Sequence, residues 1–298
     1  MILQCFSPHQ LYCDCESGTV VCEMDKNLEQ RIAVLEADLA SIKAQLCNTM
    51  MVQSPADIEL EARAGCLLSL LAPERDLDGT RLVRVGSAFD GGYVIPEEIS
   101  FDKLLAFGIG SNCDFEEAMV GRGVEVEAFD HTIDTYPADS TQVVWRREAL
   151  AASAGNGRLT LVDAIEGVDG TLLVKMDVEG DEWKALDVAQ EVDLKRIACL
   201  VVELHDLDRL LVDVDWQLMV SVLERVRRVF ALVHIHANNA GSTFRADGRL
   251  LPSILECTYV SRTLVGACVP ARGPWPTPLD APNLSHFPDL ELTELWRD

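Results

Sequence analysis

Short apolar runs separated by amphipathic stretches occupy the chain from Leu82 onward. The runs are LVRVG (82–86), LLAFGIG (104–110), VEVEAFD (124–130), VVW (143–145), RLTLV (158–162), LLVKMDV (172–178), ACLVVEL (198–204), FALVHIH (230–236) and ILECTYV (254–260). Amphipathic patterns predict helices from Phe115 and over about 215–228. Because strands that are apolar without strict alternation are buried on both faces, the pattern predicts an α/β fold. In this fold a mostly parallel sheet has helices on both faces.

A second pattern precedes this alternation, at residues 26–46 (KNLEQRIAVLEADLASIKAQL). Its apolar positions follow alternating steps of four and three, at Leu28, Ile32, Leu35, Leu39, Ile42 and Leu46. This heptad spacing predicts a short coiled coil that joins copies of the chain into a homo-oligomer. An amphipathic helix docked on its own domain is the alternative interpretation.

The changes of pattern along the chain predict five segments. They are a cysteine-containing N-terminal segment (1–25), a short coiled coil (26–48), a helical lead-in (49–80), an α/β domain (81–268) and a proline-rich tail (269–298). In the lead-in, ADIELEARAGCLLSLL predicts a helix that ends before Pro73. The proline density of the tail predicts that it wraps the surface without adding a core.

Charge restricts the partners of the chain. Its 49 acidic and 25 basic residues give a net charge of −24. A field of this sign repels phosphate backbones, so we expect no nucleic-acid partner. The sequence contains no apolar stretch near the roughly 20 residues that cross a bilayer. Its first residues, MILQCFSPHQ, lack the basic start and apolar core of a signal peptide, so we expect a cytoplasmic location.

Four cysteines precede the heptads: Cys5, Cys13, Cys15 and Cys22. Their spacing, C-x7-C-x-C-x6-C, lacks the paired CxxC knuckles of common zinc sites. A metal site, disulfides and free thiols all remain open for this segment.

Glycines follow the first core strand, at Gly108 and Gly110, with Ser111 next to them. Glycine lets the backbone turn sharply and approach a ligand closely, and the next helix presents its N-terminus there. The following strand ends in Asp130, where an acid accepts hydrogen bonds from ribose hydroxyls. The third glycine of a dinucleotide fingerprint is replaced by Cys113. The pattern therefore favours S-adenosylmethionine, which has a ribose but no phosphate.

Carboxylates, imidazoles and one amide lie at the ends of three later, consecutive strands, LLVKMDV, ACLVVEL and FALVHIH, each set in phase on one face of its strand. They are Asp177, Glu179, Glu203, His205, His234, His236 and Asn238. Ligands bind beyond the carboxyl ends of parallel strands, so this convergence predicts an active site. Two chemistries suit it: proton abstraction by His205 or His236, and a divalent cation, Mg²⁺ or Mn²⁺, held by Asp177, Glu203 and His236. The sequence leaves both open.

KMDVEGDEW (175–183) resembles the K-[IV]-D-[VC]-E-G-x-E signature of FkbM-type methyltransferases, a class I S-adenosylmethionine-dependent family. FGIGSNCDFE, FDHT, RVGSAFDGGYVI, VVELH and VHIHANN resemble other elements of that family, so the resemblance covers roughly residues 81–262. It implies a Rossmann-like class I methyltransferase fold with a seven-stranded sheet. It also implies methyl transfer to oxygen, often on sugars or natural-product hydroxyls.

The resemblance also implies roles for individual residues. Gly108, Gly110 and Asp130 would hold the cofactor, and Asp177 and Glu179 would lie beside the methyl group and the acceptor. It further suggests Asp163 as a cofactor residue, and Asp90 and Tyr93 as residues that close the cofactor pocket. A tight turn at the Asp-Gly-Gly sequence is the competing explanation for the last two.

We therefore expect an S-adenosylmethionine-dependent O-methyltransferase that acts on a hydroxyl of a sugar, a glycan or a small metabolite. The alternative is an acidic, oligomeric scaffold that keeps the methyltransferase fold without turnover. A nicotinamide-dependent reductase is a third hypothesis, but Cys113 and the lack of a Tyr-x-x-x-Lys pair disfavour it.

Overall fold

A computed structural model describes residues 54–296, together with residues 12–13, 20–21 and 35. The chain divides into two compact units, Met1–Ser54 and Pro55–Asp298. In the first unit, β1 (Tyr12–Cys13) pairs antiparallel with β2 (Val20–Val21). Except at Leu35, the predicted coiled coil lies outside the described residues, as do Cys5, Cys15 and Cys22.

The second unit is built on a seven-stranded sheet. Its strands are β6 (Lys103–Phe107), β7 (Glu125–Phe129), β8 (Val143–Arg146), β11 (Leu172–Met176), β12 (Ile197–Leu204), β13 (Phe230–Ala237) and β16 (Leu255–Ser261). Their spatial order is β13-β16-β12-β11-β6-β7-β8, and β16 alone in this sheet runs antiparallel to its neighbours. Read from the other edge, the six parallel strands follow the order β8-β7-β6-β11-β12-β13, which is the doubly wound order 3-2-1-4-5-6. The antiparallel strand β16 is inserted between β12 and β13. The predicted mostly parallel sheet is confirmed, and the architecture is compatible with a Rossmann-like fold.

The other described elements of this unit surround the sheet. The helices are α1 (Pro55–Leu70), α2 (Asp114–Gly121), α3 (Leu161–Ile165), α4 (Glu182–Val188), α5 (Glu191–Leu194), α6 (Asp213–Val229) and a 3-10 helix at Thr293–Trp296. The short strand pairs are β4 (Leu82–Gly86) with β5 (Gly92–Pro96), β9 (Ala149–Leu150) with β10 (Arg158–Leu159), β14 (Thr243–Ala246) with β15 (Arg249–Pro252), and β3 (Glu74–Asp76) with β17 (Cys268–Pro270). None of the helices in the described part of the chain combines the length and apolarity that a bilayer crossing requires.

Alternate residues of the central strands form two separate cores. On one face, Leu105, Val174 and Leu200 pack with α1, α4 and α6. On the other, Leu104 and Leu173 pack with α2 and with the β4–β5 hairpin. The alternation places successive side chains on opposite faces of the sheet, as the geometry of a strand requires. Helices therefore cover both faces, as predicted, and the hairpin completes the second face.

Two apolar runs form structures that differ from those expected. LVRVG was expected to belong to the alternation of strands and helices, but it forms β4 of an antiparallel hairpin outside the central sheet. RLTLV was predicted to be a strand, yet it ends as β10 at Leu159 and continues as α3. The cause is a capping box, because the Thr160 side chain accepts the N–H of Asp163 while the Asp163 carboxylate accepts the N–H of Thr160.

The proline-rich tail, expected to wrap the surface, also supplies side chains to the first core. Trp275, Leu292 and Leu295 are buried in the first core. The indole N–H of Trp296 donates to the carbonyl oxygen of Leu68 at 2.8 Å, which fixes the end of the tail to α1. Burial of these side chains contributes to stability, so residues 269–296 are part of the compact unit.

Candidate active site

A pocket of about 310 Å³ opens beyond the carboxyl ends of β6 and β11, where the strand order reverses. This switch point is the usual ligand site of doubly wound sheets, and the volume falls within the range of small-molecule sites. Predicted site residues that line it are Asp90, Tyr93, Gly108, Gly110, Ser111, Asp130, Asp177 and Glu179. The structure therefore brings eight of the residues singled out from the sequence to one pocket.

Gly108 holds the ends of β6 and β11 together. Its φ of 76° lies in the left-handed region, and a Cβ added to it would stand 1.6 Å from the carbonyl oxygen of Asp177. At Gly110, with φ of 58°, an added Cβ would meet no protein atom within 4 Å. The first glycine is required by backbone packing, whereas the second leaves space beside the loop.

Asp130 organises this glycine loop. One carboxylate oxygen accepts the N–H groups of Ile109 and Gly110, each at 2.9 Å, and the other accepts the N–H and the hydroxyl of Thr132, each at 2.6 Å. Burial opposes ionisation, but these hydrogen bonds outweigh it and lower the pKa of Asp130. All four lone-pair positions are thereby used. A direct bond from Asp130 to a ribose hydroxyl requires the replacement of one of these four bonds.

The Asp-Gly-Gly segment closes the pocket from the β4–β5 hairpin. The hydroxyl of buried Tyr93 donates to Asp177 at 3.4 Å. The backbone carbonyl of Asp90 accepts the side-chain amide of Asn112 at 2.8 Å, and its carboxylate accepts that of Asn283 at 3.3 Å. These bonds tie the hairpin to the glycine loop and to the tail.

Asp177, Glu203 and His205 form a compact group, which we call the metal-type group. Asp177 of this group also lines the pocket. One ligand atom from each lies within 4.8 Å of the other two, an arrangement suited to a metal ion. Burial raises the pKa of Asp177, and burial together with the charges of Asp177 and Glu256 raises that of Glu203 well above its usual value. Ionised carboxylates are unfavourable in so poorly solvated a place, and a bound cation would compensate their charge.

Glu182 orients His205. This carboxylate is fully buried; one oxygen lies 3.0 Å from Nδ1 of His205 and accepts the N–H of Val178 at 2.7 Å, and the other accepts the N–H of Gly180 at 2.9 Å. With Nδ1 held, Nε2 faces Glu179 at 3.5 Å and Glu203 at 3.9 Å. Burial lowers the pKa of His205, but the hydrogen bond and charge of Glu182 outweigh it and raise the pKa to about 9.

His236 does not join this group, which corrects its predicted place among the metal ligands. Strand β16 lies between β12 and β13, and Glu256 pairs in register with both Glu203 and His236. Nδ1 of His236 lies 3.0 Å from Glu256, and Nε2 lies 3.0 Å from Asp289 of the tail. Because both ring nitrogens hold carboxylates, His236 also has no nitrogen free for the predicted role of base.

His234 in β13 and Asn238 just after its end are also absent from the pocket lining. Nε2 of His234 lies 3.1 Å from Asp280 of the tail. The side-chain amide of Asn238 donates a hydrogen bond to the carboxylate of Glu203 and so helps to hold this member of the metal-type group in place.

Asp163 does not line this pocket, contrary to its predicted role as a cofactor residue. It caps α3 through Thr160 and lines a separate hollow with Lys103 and Arg146. The hydrogen bonds from Thr160 lower its pKa. Its place after the apolar run reflects the helix start rather than a ligand site.

Sequence reasoning missed Lys175 and Glu182, although both lie in the quoted KMDVEGDEW segment. Lys175 is a charge inside a strand that is otherwise apolar, and such a residue is rarely buried without a partner. Glu182 is the last acid of the signature, and its burial next to His205 depends on how β12 lies beside β11. A lysine inside an apolar run was a sign that the sequence offered for Lys175, whereas nothing beyond the motif pointed to Glu182.

Comparison with known proteins gives no relative to set beside this geometry: neither a protein-family model nor a curated protein matches the chain.

Proposed function

We propose that the chain is an S-adenosylmethionine-dependent O-methyltransferase of the class I type. Its acceptor would be a hydroxyl of a sugar, a glycan or a small metabolite, as the resemblance to FkbM-type enzymes implies. The observation that supports this best is the pocket at the switch point. The glycine loop and Asp130 line one side of this pocket, and Asp177 of the metal-type group lines the other.

The charge of the pocket favours a sulfonium cofactor over a dinucleotide. Six carboxylates line it, from Asp90, Asp130, Glu148, Asp177, Glu179 and Asp181. Two phosphates of a nicotinamide dinucleotide would be repelled there, whereas a sulfonium cation would be attracted. Residues 129–132 would hold the nucleoside end, and Asp177 would face the sulfonium end.

The donor set of Asp177, Glu203 and His205 fits a divalent cation such as Mn²⁺ or Mg²⁺. Two carboxylates and one imidazole held by a buried carboxylate are ligands that such ions accept. A bound cation would replace the protons that the raised pKa values retain on this group. When bound, it would lower the pKa of an acceptor hydroxyl.

Glu179 would receive the hydroxyl proton. Its side chain is 88% exposed at the rim, and its φ of 55° is left-handed, which is uncommon for a residue with a Cβ. One carboxylate oxygen lies 3.5 Å from Nε2 of His205. In the proposed reaction S-adenosylmethionine supplies an electrophilic methyl group, and Glu179 accepts the proton that the acceptor oxygen loses.

The reaction is tested by release of S-adenosylhomocysteine from labelled S-adenosylmethionine, with a panel of sugars and small hydroxyl compounds. We expect release with at least one acceptor, loss of release in EDTA and recovery with Mn²⁺. Glu179→Gln should lower kcat while cofactor affinity is unchanged. Turnover that persists in EDTA contradicts the role of the cation. Equal rates for Glu179→Gln and the unaltered chain contradict the role of Glu179 as the base.

A further inference from the structure

Lys175 is the sole lysine or arginine among the described residues that line the pocket. Its side chain is 4% exposed, and Nζ donates a hydrogen bond to the carbonyl oxygen of Gly108. Nζ also lies 5.5 Å from the centre of the Tyr93 ring, an arrangement that stabilises a cation. The ammonium is thus held at the base of the glycine loop.

The hydrogen-bonding capacity of this ammonium is only partly used. An ammonium has three donors, and in the described part of the chain Gly108 alone offers an acceptor within hydrogen-bond distance. The nearest carboxylate oxygens belong to Glu116, at 3.8 Å, and Asp177, at 4.0 Å. The Glu116 oxygen is itself buried and has no hydrogen-bond partner. Buried donors are almost always paired, so the unused N–H donors of Lys175 indicate that an acceptor is missing beside it.

We propose that Lys175 binds the α-carboxylate of S-adenosylmethionine, which makes it a cofactor-binding residue. The inference rests on the proposed function and specifies the orientation of the cofactor. Among the groups of that molecule the carboxylate alone is negative, and Lys175 is the one lysine or arginine that attracts it among the described residues lining the pocket. The amino-acid end therefore lies against Lys175 and Gly108, and the nucleoside end lies towards Asp130 and Glu148.

Calorimetric titration of the full chain with two sulfonium nucleosides tests the assignment. S-adenosylmethionine and its decarboxylated form share the sulfonium, the amine and the nucleoside, and differ in the carboxylate alone. We expect the unaltered chain to bind the first about 10- to 100-fold more tightly, the effect of charge-assisted hydrogen bonds. Lys175→Met should remove most of this difference while it leaves the affinity for the decarboxylated form nearly unchanged. Lys195→Met, which removes an exposed ammonium from the surface, should preserve the difference.

The outcomes separate this inference from the proposed function. Equal affinity of the unaltered chain for the two nucleosides overturns the role of Lys175 alone, and needs no variant to fold. A difference that survives in Lys175→Met overturns it too. Failure of the unaltered chain to bind either nucleoside overturns the proposed function together with this inference.

Discussion

Glu182 and His205 are joined across two strand ends by a contact of 3.0 Å between a carboxylate oxygen and Nδ1, and both residues are buried. The same carboxylate accepts the N–H groups of Val178 and Gly180, which flank the left-handed residue Glu179. One side chain therefore fixes both the imidazole of the metal-type group and the turn that presents Glu179. Carboxylates in this position hold a ligating histidine in one orientation.

Glu182→Gln should weaken cation binding. The amide carries no charge to stabilise the orientation of His205, and its NH₂ end faces one of the two backbone donors. We expect Mn²⁺ affinity to fall about 10- to 100-fold, measured by calorimetry on the full chain. Affinity for S-adenosylmethionine should change little, and Glu191→Gln, at an exposed ion pair with Arg228, should change neither. If Glu182→Gln binds Mn²⁺ as tightly as the unaltered chain, Glu182 does not orient His205 for cation binding.

Gly108→Ala should disrupt the junction of β6 and β11. Its Cβ would fall on the Asp177 carbonyl, and its φ is left-handed. Gly123→Ala is the matched control, because Gly123 has φ of 83° and an added Cβ would meet no protein atom within 4 Å. We expect Gly108→Ala to lower the free energy of unfolding by at least about 2 kcal/mol more than Gly123→Ala, as measured by urea denaturation. Equal losses in the two variants would mean that the strand ends are not packed as described.

His236 should make the stability of the chain depend on pH. Burial lowers its pKa, but hydrogen bonds to Asp289 and Glu256 outweigh burial and raise it to about 10. The stabilisation is therefore fully present below the unfolded pKa of about 6.5 and is lost as pH rises towards 10. The slope between these limits is about 1.4 kcal/mol per pH unit for one proton.

Urea denaturation of the unaltered chain and of His236→Gln at pH 6 and pH 9 measures this contribution. We expect the stability difference between the two proteins to be larger at pH 6, by about 2 kcal/mol or more. Other titrating groups affect both proteins and largely cancel in the difference. A gap that stays constant or grows towards pH 9 would show that His236 is not held between carboxylates.

The heptad pattern over residues 26–46 predicts that the intact chain is an oligomer. Light scattering should give a mass per particle of two or more chains for the intact protein. A shortened chain that begins at residue 50 should behave as a monomer, since it keeps the compact unit Pro55–Asp298 and loses the heptads. Equal numbers of chains per particle in the two proteins would rule out oligomerisation through this segment.

Burial made most of the sheet predictable. The runs at 172–178, 198–204, 230–236 and 254–260 match β11, β12, β13 and β16 within about two residues at each end, since buried strands need continuous apolar character. RLTLV was misjudged because a local capping interaction at Thr160 competes with the strand pattern. The contribution of the tail to the first core was not predicted, because proline density describes the backbone, whereas Trp275 and Leu292 determine what is buried.

Spatial order limited the prediction of the site. Strand periodicity correctly aligned Asp177 with Glu203, because β11 and β12 are neighbours. The same reasoning failed for His236, since β16 comes later in the chain but inserts between β12 and β13. Periodicity determines the face of a strand on which a residue lies, but it does not determine which strand is adjacent. The contacts of His236 with Glu256 and Asp289 therefore could not be predicted from the sequence alone.

The proposed function requires that the switch-point pocket binds S-adenosylmethionine. Calorimetric titration of the full chain in EDTA, once with S-adenosylmethionine and once with NADH, tests it most directly. We predict saturable binding of one S-adenosylmethionine per chain and no heat of binding for NADH. Binding of NADH without binding of S-adenosylmethionine would contradict the account.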